Sequence, residues 1–341
     1  MNFNIQPFIP VRGLRNPHLQ SILASSLRPQ NGVDFRRQRL NTPDGDFVDL
    51  DFADVAGMTW ADLGDDTPII LLLHGLEGSA RRGYAYETYK QLAQRGIRSV
   101  GLNFRSCSGE MNRTAFLYHA GATGDVALVM DWLNAQFPSV SKGMIGFSLG
   151  ANVLLKYLGE NGAGLDGRVK TACPELVEAA VAISPPFDMV AGSQVFSHGT
   201  GKLYARLFLR SLKEKTRAHA SLIADKIDIE KVLQAQTVEA FDDALTAPLH
   251  GFDGVMDYYE KSRSGNFLPG IEVPTLLLRS LDDPFFADDR EWVTRANNRN
   301  LIPGFTKHGG HVGFMEGAIS RHFWAERQAA RFFALHLLGH N

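Results

Sequence analysis

The chain has 341 residues, with 35 lysines and arginines against 37 aspartates and glutamates, a balance that excludes the basic footprint of a nucleic-acid binder and any acidic tail. Two cysteines, Cys107 and Cys173, exclude a disulfide framework and fit a reducing compartment, a single bridge between them staying open. The absence of about 18 consecutive apolar residues excludes a membrane-spanning helix, and the opening MNFNIQPFIPVRGLRNP lacks the apolar core of a secretory signal, so a cytoplasmic location is expected.

In residues 1–34, Pro7, Pro10, Pro17 and Pro29 rule out one long helix. Leu40–Ala53 reads as a hairpin around the turn Pro43-Asp44-Gly45. Pro68–Leu73 (PIILLL) is the solid apolar run of a strand covered on both faces. A helix is expected over 84–95, a strand over Arg98–Phe104, and an amphipathic helix over Asp125–Phe137 with an acid in its first turn. A strand at 143–147, a helix at 150–159 and a strand at Ala179–Ser184 follow. The alternation predicts a doubly wound, mostly parallel sheet.

Between Pro185 and about Pro269 no buried strand is legible, and the segments are polar and helix-prone. Strand signals resume at Ile271–Arg279 and near Gly304–Lys307, and an amphipathic helix at Arg321–Leu338 closes the chain. The predicted architecture is an α/β catalytic domain of residues 1–185 and 270–341 with a largely helical cap, 186–269, inserted between two sheet strands. Within the cap, the basic helix Lys202–Lys215 carries Leu203, Leu207 and Phe208 on one side, which is read as packing on the catalytic domain in preference to contact with lipid. Trp132, Trp324, Phe323, Phe332 and Phe333 are read as core.

The stretch Gly146-Phe147-Ser148-Leu149-Gly150 ends one strand and opens one helix, which is the context that gives G-x-S-x-G its meaning. Serine is a poor nucleophile at neutral pH, so Ser148 needs a base, and the base needs an orienting acid. In this arrangement they follow in the order acid, then histidine, on later loops. Asp283, before Pro284, is the predicted acid, with Asp282 and Asp188 as rivals, and His311 in His308-Gly309-Gly310-His311 is the predicted base. The two histidines lie on a glycine-rich loop and not on the helix of H-E-x-x-H, so no metal and no cofactor is expected. Backbone N–H groups of Leu149 and of Leu76, in the loop His74–Ser79 after PIILLL, are the expected oxyanion donors. That loop matches no phosphate-binding pattern. His74, Phe285, Phe286 and Phe314 are the expected pocket-lining residues. Cys107 is read as a buried filler.

Taken together, these segments resemble the YheT-like branch of the α/β-hydrolase superfamily. The resemblance rests on Asn16-Pro17-His18-Leu19-Gln20, Pro43–Leu50, His74–Ser79, Asn103–Glu110, Tyr118–Gly121, Gly146–Asn152, Phe241-Asp242-Asp243, Asp282–Phe285 and His308–Phe314. Ser106 and Ala151 stand where glycine is usual. The resemblance implies an α/β-hydrolase fold, Ser148, Asp283 and His311 as the triad, and esterase activity on short acyl esters or phospholipids. The expected partner is therefore a small-molecule acyl ester, lipid-like esters included, with no obligate protein partner. Thioester hydrolysis, acyl transfer and a non-catalytic binding role remain the alternatives.

Overall fold

The computed structural model describes residues 3–160, 176–196, 199–286, 288–317 and 322–339. In chain order its elements are α1 (Pro17–Leu27), β1 (Val33–Asn41), β2 (Phe47–Val55), α2 (Trp60–Leu63), β3 (Ile69–Leu73), α3 (Gly83–Ala93), β4 (Arg98–Asn103), α4 (Gly124–Gln136), β5 (Lys142–Phe147), α5 (Leu149–Gly159) and β6 (Ala179–Ile183). After β6 come α6 (Met189–Phe196), α7 (Gly201–Ile223), α8 (Ile229–Gln234), α9 (Val238–Phe241), α10 (Ala247–His250) and α11 (Val255–Ser262). A π-helical turn, Asp242–Thr246, joins α9 to α10. The chain then returns to the sheet with β7 (Thr275–Ser280), α12 (Glu291–Ala296), β8 (Leu301–Thr306), the short hairpin β9 (Met315–Glu316) and β10 (His322–Phe323), and α13 (Trp324–Leu338).

Eight strands form one sheet in the order β1-β2-β4-β3-β5-β6-β7-β8. β1 and β2 form the expected hairpin, whose first strand starts at Val33, and β2 pairs antiparallel with β4; from β4 to β8 every pairing is parallel. The apolar run of β3 explains why it lies inside the sheet. Ile69, Leu71 and Leu73 face one core layer with α4 and α5, while Ile70 and Leu72 face the other with α3 and α13. With both faces covered, a five-residue strand can be apolar throughout.

The expected strands over 68–73, 98–104, 143–147 and 179–184 occur within a residue or two of their bounds. The strand expected from Ile271 begins only at Thr275, because Pro274 can donate no ladder hydrogen bond. Cys107 is buried, as expected; Cys173 and Arg321 lie outside the described residues. Among the described residues no helix is long and apolar enough to cross a membrane. One expectation for the insertion is corrected. Phe208 turns inward, but Leu203 and Leu207 are 61% and 63% exposed. Their side of α7 faces away from the sheet domain.

The N-terminal segment clasps the last third of the chain. Gln20 Nε2 donates to Met315 O at 3.2 Å and Gln20 Oε1 accepts from Met315 N at 2.8 Å. Trp324 Nε1 donates to Gln6 O at 2.8 Å, and Phe8 packs on Phe314 and Trp324. Arg28 pairs with buried Glu326 at 2.7 Å and donates to Val312 O at 2.8 Å.

Candidate active site

Parallel sheets present their loops at the carboxyl ends of the strands, and in open α/β sheets ligands bind there. The loops after β3, β5, β7 and β8 meet at that end. The first to consider is the turn from β5 into α5. Ser148 sits at φ +53°, ψ −118°, a conformation costly for a residue with a Cβ. The turn is feasible because a Cβ on Gly146 would lie 2.5 Å from Gly150 O, and one on Gly150 would lie 2.4 Å from Leu73 O. Glycine at both positions lets strand, helix and the neighbouring strand end approach, and Ser148 N–H is tied to Ile183 O at 2.9 Å.

The loop after β8 brings His311 to Ser148. His311 Nε2 lies 2.9 Å from Ser148 Oγ, and His311 Nδ1 lies 2.8 Å from Asp283 Oδ2. The carboxylate can only accept, so Nδ1 carries the proton and Nε2 offers its lone pair to the serine hydroxyl. The other carboxylate oxygen of Asp283 accepts from Phe285 N at 2.8 Å, so the acid cannot swing away. Its neighbour Asp282 is occupied elsewhere, accepting from Gly310 N and pairing with His308, each at 3.0 Å. Asp188 caps α6, accepting from Val190 N at 2.9 Å. Of the three acids considered from sequence, only Asp283 reaches His311.

The histidine loop is held from four sides. Ser280 Oγ donates to Gly310 O at 2.8 Å, and His311 N–H donates to Ser21 Oγ of α1 at 2.8 Å. Val312, β-branched yet at φ +52°, donates its N–H to Ser184 Oγ at 3.1 Å, while Arg28 holds its carbonyl. A strained backbone persists only where its surroundings over-determine it, and it does so here one residue from His311. Phe285 stacks on the imidazole with centroids 4.2 Å apart, and Phe286 meets it edge-on at 5.3 Å.

The loop after β3 passes close to the serine: a Cβ on Gly75 would stand 3.2 Å from Ser148 Cβ. Leu76 and Leu149 both line the cavity that contains Ser148, and among the described residues no main-chain carbonyl outside the regular elements takes either N–H. Leu149 is the first residue of α5, where helix N–H groups lack intrahelical partners. His74, expected in the pocket wall, is instead fully buried beneath this loop. Its Nε2 accepts from Phe104 N–H at 3.1 Å, which leaves Nδ1–H to donate to Gly75 O at 2.8 Å. Burial drives its pKa down to about 4, so the ring is neutral. The Gly75 carbonyl and the Leu76 N–H belong to one peptide unit, so His74 orients the donor without touching the cavity.

Phe314 is the second correction. It is fully buried between Phe8 and Trp324, because the N-terminal segment covers the side of the loop on which it lies. Phe285 and Phe286 do line the cavity, with Leu117, Met189, Phe196, Phe208 and Leu245. Its walls are mostly apolar and come from both the sheet loops and the helices after β6.

A second cluster borders the cavity and was not read from the sequence. Glu77, at φ +53° beside Leu76, accepts from Lys215 Nζ and Tyr118 OH at 2.8 Å each, and from Ser211 Oγ. Burial opposes its ionisation, but Lys215 and the hydroxyl donors outweigh that and hold its pKa below the ordinary value. Lys215 Nζ also lies 3.1 Å from Cys107 Sγ, whose pKa burial raises. At the far wall Asp242 accepts from Thr246 Oγ1 at 2.7 Å and Tyr259 OH at 3.0 Å, and burial pushes its pKa up to about 6. Both clusters join residues more than a hundred positions apart or buried in a π-turn, for which no local pattern exists. Among the described residues no group of three or more His, Cys, Asp or Glu is arranged to hold a metal ion.

A parallel sheet with a serine elbow after its fifth strand, facing a histidine after its last, defines the α/β-hydrolase class. Residues 68–318 match the family described as alpha/beta hydrolase fold, and the chain belongs to it. Within that family its similarity runs along nearly its whole length to YheT of Escherichia coli strain K12, 33% identical over 97% of this chain and 94% of that protein. A monoacylglycerol lipase of Saccharomyces cerevisiae is 30% identical over 77% of this chain and 58% of its own. Phospholipase ABHD3 of Homo sapiens is 28% identical over 89% of this chain and 72% of its own. Among solved structures, the Pyrococcus furiosus esterase Pf2001 superposes with a TM-score of 0.56, covering 99% of this chain and all of that one at 16% identity, which is a likeness of fold.

Proposed function

We propose that this chain is a cofactor-free serine esterase in which Ser148 is the nucleophile, His311 the base and Asp283 the acid. The observation that supports it is the unbroken pair of hydrogen bonds, Asp283 to His311 at 2.8 Å and His311 to Ser148 at 2.9 Å. In this reading Ser148 Oγ attacks the ester carbonyl carbon and its proton passes to His311 Nε2, while Asp283 stabilises the imidazolium. The carbonyl electron pair moves onto oxygen, where the Leu76 and Leu149 N–H groups receive it. Collapse of this intermediate breaks the ester C–O bond, and His311 returns the proton to the departing alcohol. Water, deprotonated by His311, then attacks the acyl-enzyme and releases the acid and the serine.

The apolar cavity suits the acyl chain, and Phe285 and Phe286 lie where it would meet the base. Residues 186–269 act in this reading as a cap that closes over the chain. The names carried by the yeast and human relatives favour a lipid-like ester, and the low cysteine content is in keeping with a cytoplasmic setting. The test is fluorophosphonate labelling of wild type and Ser148→Ala, with turnover of 4-nitrophenyl esters from acetyl to dodecanoyl. Labelling confined to wild type and a chain-length optimum support the reading. A wild type that neither labels nor turns over any ester overturns it. Acyl-CoA turnover in the same assay would favour the thioesterase alternative.

A further inference from the structure

Helix α7 carries six cations, Lys202, Arg206, Arg210, Lys213, Lys215 and Arg217, against one acid, Glu214, in a chain whose overall charge is −2. At about 100° per residue, Lys202, Arg206, Arg210 and Arg217 fall on one stripe of the helix, and Leu203 and Leu207 flank it. The four of the stripe are solvent-exposed, while Lys213 and Lys215 are half-buried on the side that meets Glu77 and the neighbouring cap helices. The apolar patch continues beyond α7. Tyr204, next to Leu203, stacks on His18 of α1 with centroids 5.9 Å apart, and Leu19 and Ile22, on the same side of α1 as His18, are 44% and 49% exposed. The opposite flank of α7 is part of the candidate site: Phe208 lines the cavity, and Tyr204 lies 4.6 Å from Phe285, which stacks on His311.

Two water-facing helices gain nothing from exposing two large aliphatic side chains each beside a cationic stripe. A surface that is negatively charged outside and apolar just beneath matches both features at once. We propose that α7 and the outer face of α1 dock this protein on an anionic lipid surface, through Leu203, Leu207, Leu19 and Ile22 with Lys202, Arg206 and Arg210 as the charge contacts. Docking in this orientation sets the cavity-lining flank of α7 against the bilayer boundary, so that a lipid-like ester reaches the cavity along the helix. The docking itself does not depend on the serine chemistry and is measured apart from it.

The experiment uses full-length Ser148→Ala protein, which leaves the lipids intact, and sedimentation with vesicles of phosphatidylcholine alone or of three parts phosphatidylcholine to one of phosphatidylglycerol. Partition onto the anionic vesicles only, weakening as salt is added, is expected. Lys202→Gln/Arg206→Gln/Arg210→Gln should weaken it on the order of 100-fold, at roughly fivefold per charge. Leu203→Ser/Leu207→Ser should weaken it by about tenfold or more. With Ser148 restored, both variants should turn over soluble 4-nitrophenyl butyrate like wild type, which checks that they fold. No partition onto anionic vesicles overturns the proposal, as does partition that either variant retains in full. Equal competition by a short DNA duplex would reassign the stripe to polyanions in general and overturn it too.

Discussion

His74 is the residue whose role the structure changes most, and its replacement tests the whole oxyanion arrangement. In His74→Leu the Gly75 carbonyl loses one of its two donors, keeping only Gly78 N–H, and Phe104 N–H is left buried without an acceptor. An unsatisfied buried group costs about 1–3 kcal/mol, so a stability loss near the upper end is expected by urea unfolding at pH 7.5. The larger effect should be kinetic. A peptide unit no longer fixed by His74 cannot aim Leu76 N–H, and loss of one oxyanion donor lowers kcat by about 10²–10³-fold. That bond strengthens only as charge develops, so KM for 4-nitrophenyl butyrate should hardly move. His74→Asn keeps an N–H near the position of Nδ1 and should retain most of kcat. The pH dependence gives a second readout. The unfolded chain protonates this histidine near 6.5, while the folded chain resists protonation until about 4. The folded form therefore binds fewer protons in that interval, and stability falls as pH drops from 6.5 to 4, by about 3 kcal/mol from this group. Above 6.5 the contribution is complete. The wild-type stability profile should thus be steeper than that of His74→Asn by about this amount. A His74→Leu enzyme with kcat within threefold of wild type would refute the reasoning.

Asp283→Asn should lower kcat by about 10⁴-fold through the wrong imidazole tautomer, while Asp282→Asn, which touches only Gly310 and His308, should cost tenfold at most; equal losses in ester turnover would contradict the assignment. Lys215→Met leaves Glu77 buried without its cation and should destabilise the protein by about 3 kcal/mol, and adding Glu77→Gln should recover most of that by thermal or urea unfolding. Phe286→Ala should shift the preferred acyl length upward in the 4-nitrophenyl ester series with little change in the best kcat, because the ring lines the cavity and meets His311 only by its edge.

The sheet was legible because its inner strands are short and apolar throughout, and the serine elbow because Gly146 and Gly150 bracket Ser148 between a strand and a helix. Asp283 and His311 could be chosen from order along the chain. What selects Asp283 over Asp282 is the direction of two adjacent side chains, which spacing does not contain. His74 and Phe314 were misread for a common reason: a polar or aromatic residue beside a site looks the same in sequence whether it faces the cavity or holds the loop from behind. Glu77 and Lys215 stand 138 positions apart, and neither is unusual by itself. Leu203 and Leu207 had the spacing of a packed face, and only the position of the sheet domain shows that nothing described covers them.

The N-terminal clasp makes the history of the chain part of its chemistry. Ser21 and Gln20 are joined to His311 and Met315 across about 290 residues. Closing such a loop in a free chain costs on the order of 5 kcal/mol in entropy, so this contact cannot start folding and must wait until the sheet has drawn the two segments together. During synthesis at about 5–20 residues per second, α1 leaves the ribosome on the order of 15–60 s before the histidine loop it will hold. For the last part of that interval, the 163 residues that separate Ser148 from His311 or about 8–33 s of synthesis, the nascent chain carries the serine elbow without the histidine that faces it. Turnover therefore reports the last step of assembly, and a probe that follows its appearance during translation would time the closing of the sheet.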